Sequence, residues 1–198
     1  MTATVRYFDD SWSLPGDRAS AHLRPDGALE VTAPAGSDLY RMPGIREIDG
    51  VPEVSRVIEG DFTLTVRVSV HGAAGGARFS DAGGLLVHTA DGWAKICVEP
   101  SPQGRWGLVT VVSRPDSDEA RGPELAGPAA ELVLVREGTR LAFLDRAEET
   151  GEMRFVRTLT VPPGPLRVSL FAQAPFSEHC TAVFDHLGIV PEALRDRR

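Results

Sequence analysis

Residues 80–99 read Ser80-Asp81-Ala82-Gly83-Gly84-Leu85-Leu86-Val87-His88-Thr89-Ala90-Asp91-Gly92-Trp93-Ala94-Lys95-Ile96-Cys97-Val98-Glu99. Two apolar runs, 84–88 and 93–98, flank a turn at Ala90-Asp91-Gly92. Asp-Gly between such runs signals a β-hairpin, because glycine accepts positive φ and the Asp side chain bonds its own turn backbone. Successive strand side chains point to opposite faces. The pattern predicts Ala94, Ile96 and Val98 on a core face. Trp93, Lys95, Cys97 and Glu99 then fall on the other face, about 7 Å apart along the strand. That face mixes a flat aromatic, a cation, a thiol and an anion. It is either the solvent side of an ordinary strand with a cross-strand ion pair or the lining of a polar groove. Lys95 is the only lysine in a chain that uses arginine throughout. A compact ammonium and a planar guanidinium are not equivalent at a tight site, so the retained lysine favours the groove.

Outward from this hairpin the chain reads as more strands. Residues 61–70 alternate cleanly, with Phe62, Leu64, Val66, Val68 and Val70 on one face and Thr63, Thr65, Arg67 and Ser69 on the other. Segments 19–23 and 28–33 are joined by the turn Arg24-Pro25-Asp26-Gly27. Further strands are predicted at 106–113, 131–136, 140–145, 153–161, 166–173 and 181–190. Residues 42–59 and 114–120 read as loops, and 125–130 as a Gly/Pro/Ala linker. Glycine and proline punctuate the junctions, and no long amphipathic helix or internal repeat is visible. A chain of 198 residues fits one large domain. The expectation is an all-β antiparallel sandwich of jelly-roll type over residues 1–190, with a short polar C-terminal tail at 191–198.

Composition excludes several function classes. A net charge of −7 argues against nucleic acid or an anionic membrane as partner. Met1-Thr2-Ala3-Thr4-Val5-Arg6 and Tyr7-Phe8-Asp9-Asp10 form no apolar signal core, and no run has transmembrane length. Cys97 and Cys180 make no disulfide framework, which fits reduced thiols of a cytoplasmic protein. His22, His71, His88, His179 and His186 lack ligand spacing, so no metal is expected. The glycine-rich 72–76 run lacks a following lysine and helix pattern, and no serine nucleophile elbow is present. No cofactor is expected, and the chain is taken as a monomer or homodimer.

The hairpin and the strands C-terminal to it resemble a largely uncharacterised family with a concanavalin A-like jelly roll, which includes the fungal regulation-of-enolase proteins. Asp81-Ala82-Gly83-Gly84-Leu85 is similar to the family's Asp-x-Ala-Gly-Leu segment. Trp93-Ala94-Lys95-Ile96-Cys97-Val98-Glu99 matches its Trp-x-Lys-x-x-x-Glu in full. Val111-Val112-Ser113 and Ser117-Asp118 follow the next motif, with Glu119 where the family has Trp. Ala174-Pro175 and Val183-Phe184-Asp185 fit the last motif, and Asp38-Leu39-Tyr40-Arg41 resembles an upstream Asp-Phe-Trp-Arg. Similar sandwiches accompany the catalytic domains of some β-xylosidases, which by analogy implies sugars. The departures at Leu39 and Glu119 imply a weaker stacking platform.

The candidate ligand-binding residues are Asp81, Trp93, Lys95, Glu99 and Asp118, to which the matched motifs add Asp38, Tyr40 and Ser113. An indole lies well against the C–H face of a pyranose, while Lys and carboxylates serve its hydroxyls. The expected function is a non-catalytic module that binds a carbohydrate or sugar-derived small molecule. A cytoplasmic regulatory or protein-interaction module is the first alternative and a glycoside hydrolase the second. Hydrolysis needs paired carboxylates. Glu47-Ile48-Asp49-Gly50 offers the start of such a signature but reads as a turn, because Glu53 is too distant and Val51-Pro52 breaks the strand. Glu99 with Asp81 or Asp118 is the remaining pair, and no catalytic residue is assigned.

Overall fold

The computed structural model describes residues 12–13, 20–72 and 76–195. The N-terminal reading over residues 1–10, the middle of the 72–76 run and the last three residues of the tail lie outside the described residues.

Two antiparallel sheets form the sandwich. With strands numbered in chain order, the first sheet runs Ala21–Leu23 (β1), Leu29–Pro34 (β2), His179–Val190 (β15), Phe62–Gly72 (β6), Ala129–Glu137 (β11), Arg140–Arg146 (β12) and Met153–Thr160 (β13). The second runs Ser117–Glu124 (β10), Trp106–Ser113 (β9), Gly92–Pro100 (β8), Ala82–Thr89 (β7), Leu166–Gln173 (β14) and Glu53–Ile58 (β5). Asp38–Met42 (β3) and Arg46–Gly50 (β4) pair only with each other. No α-helix occurs among the described residues.

Period-two alternation places the core. Phe62, Leu64, Val66, Val68 and Val70 of β6 face Ala94, Ile96 and Val98 of β8 and Leu85 and Val87 of β7 in one buried cluster. Burying each large apolar side chain contributes roughly 1.5–3 kcal/mol. The β7 glycines let this packing close. A Cβ on Gly84 would lie 2.0 Å from the Ile96 carbonyl oxygen, and one on Gly83 would lie 2.4 Å from Ala182 Cβ in the opposite sheet. Both distances are shorter than any real contact, so both positions need glycine.

Three segments read as loops are strands. The 42–59 stretch contains β4 and β5, and the 114–120 loop opens into β10. Glu47-Ile48-Asp49-Gly50, read as a turn, belongs to β4 and pairs with β3. β5 and β10 are sheet edges, and β4 sits in a two-stranded pair with Glu47, Asp49 and Gly50 exposed. β4 and β10 bury no side chain and β5 only Val54 and Ile58, so the hydrophobic pattern says little about them. Ala193 and Leu194 pack on Val133, Val135, Ala142 and Leu144 outside the seven-stranded sheet, and Leu194 N–H donates to Thr63 Oγ1 at 2.9 Å.

Candidate functional site

Trp93, Lys95, Cys97 and Glu99 share the face of the six-stranded sheet that points away from the main core. Lys95 sits between Leu86 on β7 and Val111 on β9, and Glu119 on β10 lies against Val111. Leu39 and Val51 cover this face with Cys97, Val109 and Phe171. The β3–β4 hairpin is therefore a third layer over the sheet.

Lys95 is 2% exposed. Its ammonium donates to the Leu39 carbonyl and to Gln173 Oε1, both at 2.8 Å, and lies 3.6 Å from Asp38 Oδ1. The Trp93 and Phe171 rings stand 5.5 and 5.8 Å from it, within cation–π range. Gln173 Nε2 in turn donates to the Ser80 carbonyl at 2.9 Å. Asp38 is buried too, accepting Leu39 N–H at 2.8 Å and facing Arg46 Nε at 3.4 Å. A desolvated ammonium is tolerated only with such partners. The lysine clamps the hairpin to the sheet.

Beside this clamp lies a cavity of about 200 Å³ whose lining includes Tyr40, Phe79, Lys95, Glu99, Glu119 and Phe176. Phe79 and Phe176 stack with centroids 5.9 Å apart and planes 8° off parallel. They stay 44% and 51% exposed, and the Arg46 guanidinium lies 4.6 Å above Phe176. Burial pushes the Glu99 carboxyl up to about 7; the Lys95 charge opposes this, Glu119 and Asp38 add to it, and Arg121 opposes it. Near neutral pH Glu99 is thus poised between a hydrogen-bond donor and an anion. Burial, then Glu119 and Asp38, also raises the Tyr40 phenol. Burial and the neighbouring Glu99 raise the Cys97 thiol well above its ordinary value. Ser80, on the cavity wall, adopts φ 64°, a left-handed conformation that costs energy in a non-glycine residue.

A second cavity, about 450 Å³, borders Trp93, Ser113 and Asp91 on the sheet side and Tyr40, Arg41 and Asp49 on the hairpin side. Tyr40 borders both cavities.

The structure brings Asp38, Tyr40, Trp93, Lys95, Glu99 and Ser113 to these two cavities. Asp118 lies elsewhere. It pairs with Val112, not Val111, so it points to the opposite face, where it is exposed and meets Arg157 at 3.4 Å. Its neighbour Glu119 takes the place beside the site. Asp81 also belongs to a different task. It is fully buried, accepts Arg78 N–H at 2.7 Å and Ser177 Oγ–H at 2.6 Å, and so locks the turn before β7. Phe79, Arg46, Gln173 and Phe176 were not foreseen. Phe79 and Phe176 sit in loops without periodicity, and the one available signal was the matched Ala174-Pro175 beside Phe176. Among the described residues no group of His, Cys, Asp and Glu is arranged to hold a metal ion, and no helix is long and apolar enough to cross a membrane.

The fold is shared with solved structures. A functionally unknown protein from Saccharomyces cerevisiae is 18% identical and superposes with a TM-score of 0.76, over 93% of this chain and 96% of that one. A xylan β-1,4-xylosidase from Bacillus halodurans C-125 is 15% identical with a TM-score of 0.68, over 92% of this chain but only 37% of the xylosidase. A prokaryotic β-1,3-1,4-glucanase (lichenase) derived from a mouse hindgut metagenome is 13% identical with a TM-score of 0.54, over 95% of this chain and 96% of that one. At these identities the likeness is one of fold. No curated protein matches the chain. Residues 17–192 match DUF1349, described as a protein family of unknown function, and the chain belongs to that family.

Proposed function

Taking membership of a family without an assigned activity as the premise, we propose that the chain is a non-catalytic module that binds a carbohydrate or sugar-derived small molecule. The ligand sits between the six-stranded sheet and the β3–β4 hairpin. One observation carries this reading: a buried Glu99 carboxyl and an exposed Phe79–Phe176 stack share one small cavity. Aromatic faces bury the C–H side of a pyranose. A carboxyl near its titration point both donates to and accepts from hydroxyls. A mainly apolar cavity with a few fixed polar groups is the usual form of a small-ligand site. The sandwich likeness to a xylosidase region and a lichenase makes β-linked xylo- and gluco-saccharides the natural first probes. We extend the reading to a cytoplasmic monomer or homodimer, related to the regulation-of-enolase proteins, with neither nucleic acid nor membrane as partner.

The test is a thermal-shift screen with xylose, glucose, their β-1,4 oligomers and mixed-linkage gluco-oligosaccharides. A ligand at 100 times Kd adds roughly 2.7 kcal/mol, a rise in Tm of about 5–10 °C for a chain of this size. Phe176→Ala, at an exposed position, abolishes the shift while keeping a cooperative transition. Absence of a shift with every saccharide overturns the reading and favours a protein-interaction module.

A hydrolytic reading has one observation in its favour: burial pushes the Glu99 carboxyl up to about 7, and the charge of Glu119 adds to the rise. That is the acid half of a glycosidase pair. Turnover of aryl xylosides or glucosides that disappears in both Glu99→Gln and Glu119→Gln supports it, and a wild-type protein inert towards them excludes it.

A further inference from the structure

We infer that the ligand is a linear oligosaccharide that passes over Tyr40 and occupies both cavities, not a single sugar unit. This inference rests on the carbohydrate reading and extends it.

Glu99 and Trp93 lie six residues apart on one strand, a span of about 20 Å. A monosaccharide is much shorter than that. Tyr40 is only half-buried and borders both compartments. Each compartment has its own aromatic surface, the Phe79–Phe176 stack at one end and Trp93 at the other. The two cavities measure about 200 and 450 Å³, and together they fall within the roughly 300–1,000 Å³ of small-molecule pockets. The clamp beneath them is already engaged. Lys95 donates to the Leu39 carbonyl and Gln173 Oε1, pairs with Asp38 at 3.6 Å, and is almost inaccessible. It therefore holds the hairpin that walls both compartments, and the groups left for a ligand lie at the two ends. At the Trp93 end these are the exposed Asp49 carboxylate and the spare hydrogen-bonding capacity of two exposed, already paired groups, Asp91 (Thr89 Oγ1 at 2.7 Å) and Arg41 (Glu47 at 3.7 Å), which suit hydroxyls arrayed along a chain.

Titration calorimetry with xylose, glucose, xylotetraose and a mixed-linkage gluco-tetraose tests this. The preferred tetrasaccharide binds at least tenfold tighter than its monosaccharide. Trp93→Ala, and independently the surface variant Asp49→Ala, narrow that ratio towards one, whereas Phe176→Ala weakens both ligands. Asp49→Ala keeps the test valid should Trp93→Ala unfold, since Asp49 is exposed on the hairpin. Equal affinity for monomer and tetramer, or a ratio untouched by both Trp93→Ala and Asp49→Ala, overturns the two-compartment inference and leaves the carbohydrate reading standing. Absence of binding by every saccharide overturns both.

Discussion

Glu99 carries its carboxyl into a site where ionisation is costly. Its folded value of about 7 lies above the ordinary 4.5. Below pH 4.5 both folded and unfolded states hold the proton, so the residue contributes nothing to pH dependence. Between 4.5 and 7 only the unfolded state releases it, so stability falls as pH rises, reaching a full cost on the order of 3 kcal/mol above pH 7. Glu99→Gln imitates the protonated form. It should match wild type at pH 4.5 and exceed it at pH 8 by roughly 1–3 kcal/mol. Urea unfolding of both proteins at the two pH values checks this, and equal stability at pH 8 contradicts it. Alternation alone put Trp93, Lys95 and Glu99 on one face, and the sheet register agrees. The same signal was silent on Glu119, which looked like a lost aromatic in the matched motif. Only the β10 register, which pairs Glu119 with Val111 and turns Asp118 away, reveals a carboxylate at the site.

At the scale of elements, the β3–β4 hairpin is bound to the sheet by a few directed bonds. Lys95 to the Leu39 carbonyl and Arg41 N–H to Ser117 Oγ, at 2.8 and 2.9 Å, are two of them. A single lysine in an arginine-rich chain announced a special position. Its partners were not legible, because a backbone carbonyl 56 residues upstream leaves no trace in local pattern. β4 and β10 were equally hidden, since they bury no side chain, and β5 nearly so, with only Val54 and Ile58 buried. Lys95→Met should remove the clamp and leave Asp38 and Gln173 short of a buried partner, destabilising by about 3–5 kcal/mol. Hydrogen exchange should then show β3 and β4 amides losing protection while β6 and β8 stay protected until global unfolding. Unchanged hairpin protection would rule out the clamp. Lys95→Arg should not restore it, because a planar fork cannot replace a compact ammonium in so closed a space.

For the whole molecule, the clean strands β6, β7, β8 and β9 sufficed to indicate a sandwich, because a two-sheet core imposes period two on every central strand. What they could not convey is the third layer, the hairpin that turns an outer sheet face into two cavities. Burial on both sides of the sheet also determines the thiols. Cys97 lies under the hairpin and Cys180 in the main core, and both are fully buried. Burial pushes the Cys180 thiol up to about 12, aided by the nearby Asp81. A thiol-reactive disulfide dye should therefore label neither cysteine in the native state and both after denaturation. Rapid labelling of native protein would contradict the packing described.

Saccharide binding in the cavities beside Lys95, as proposed, can be read residue by residue in solution. Its most direct test is a backbone amide NMR titration with xylotetraose and a mixed-linkage gluco-tetraose. Saturable shifts are expected only at Tyr40, Arg41, Phe79, Trp93, Lys95–Glu99 and Phe176, with β11 to β13 silent. Saturable shifts located instead on the seven-stranded sheet, or none with either ligand, would contradict it.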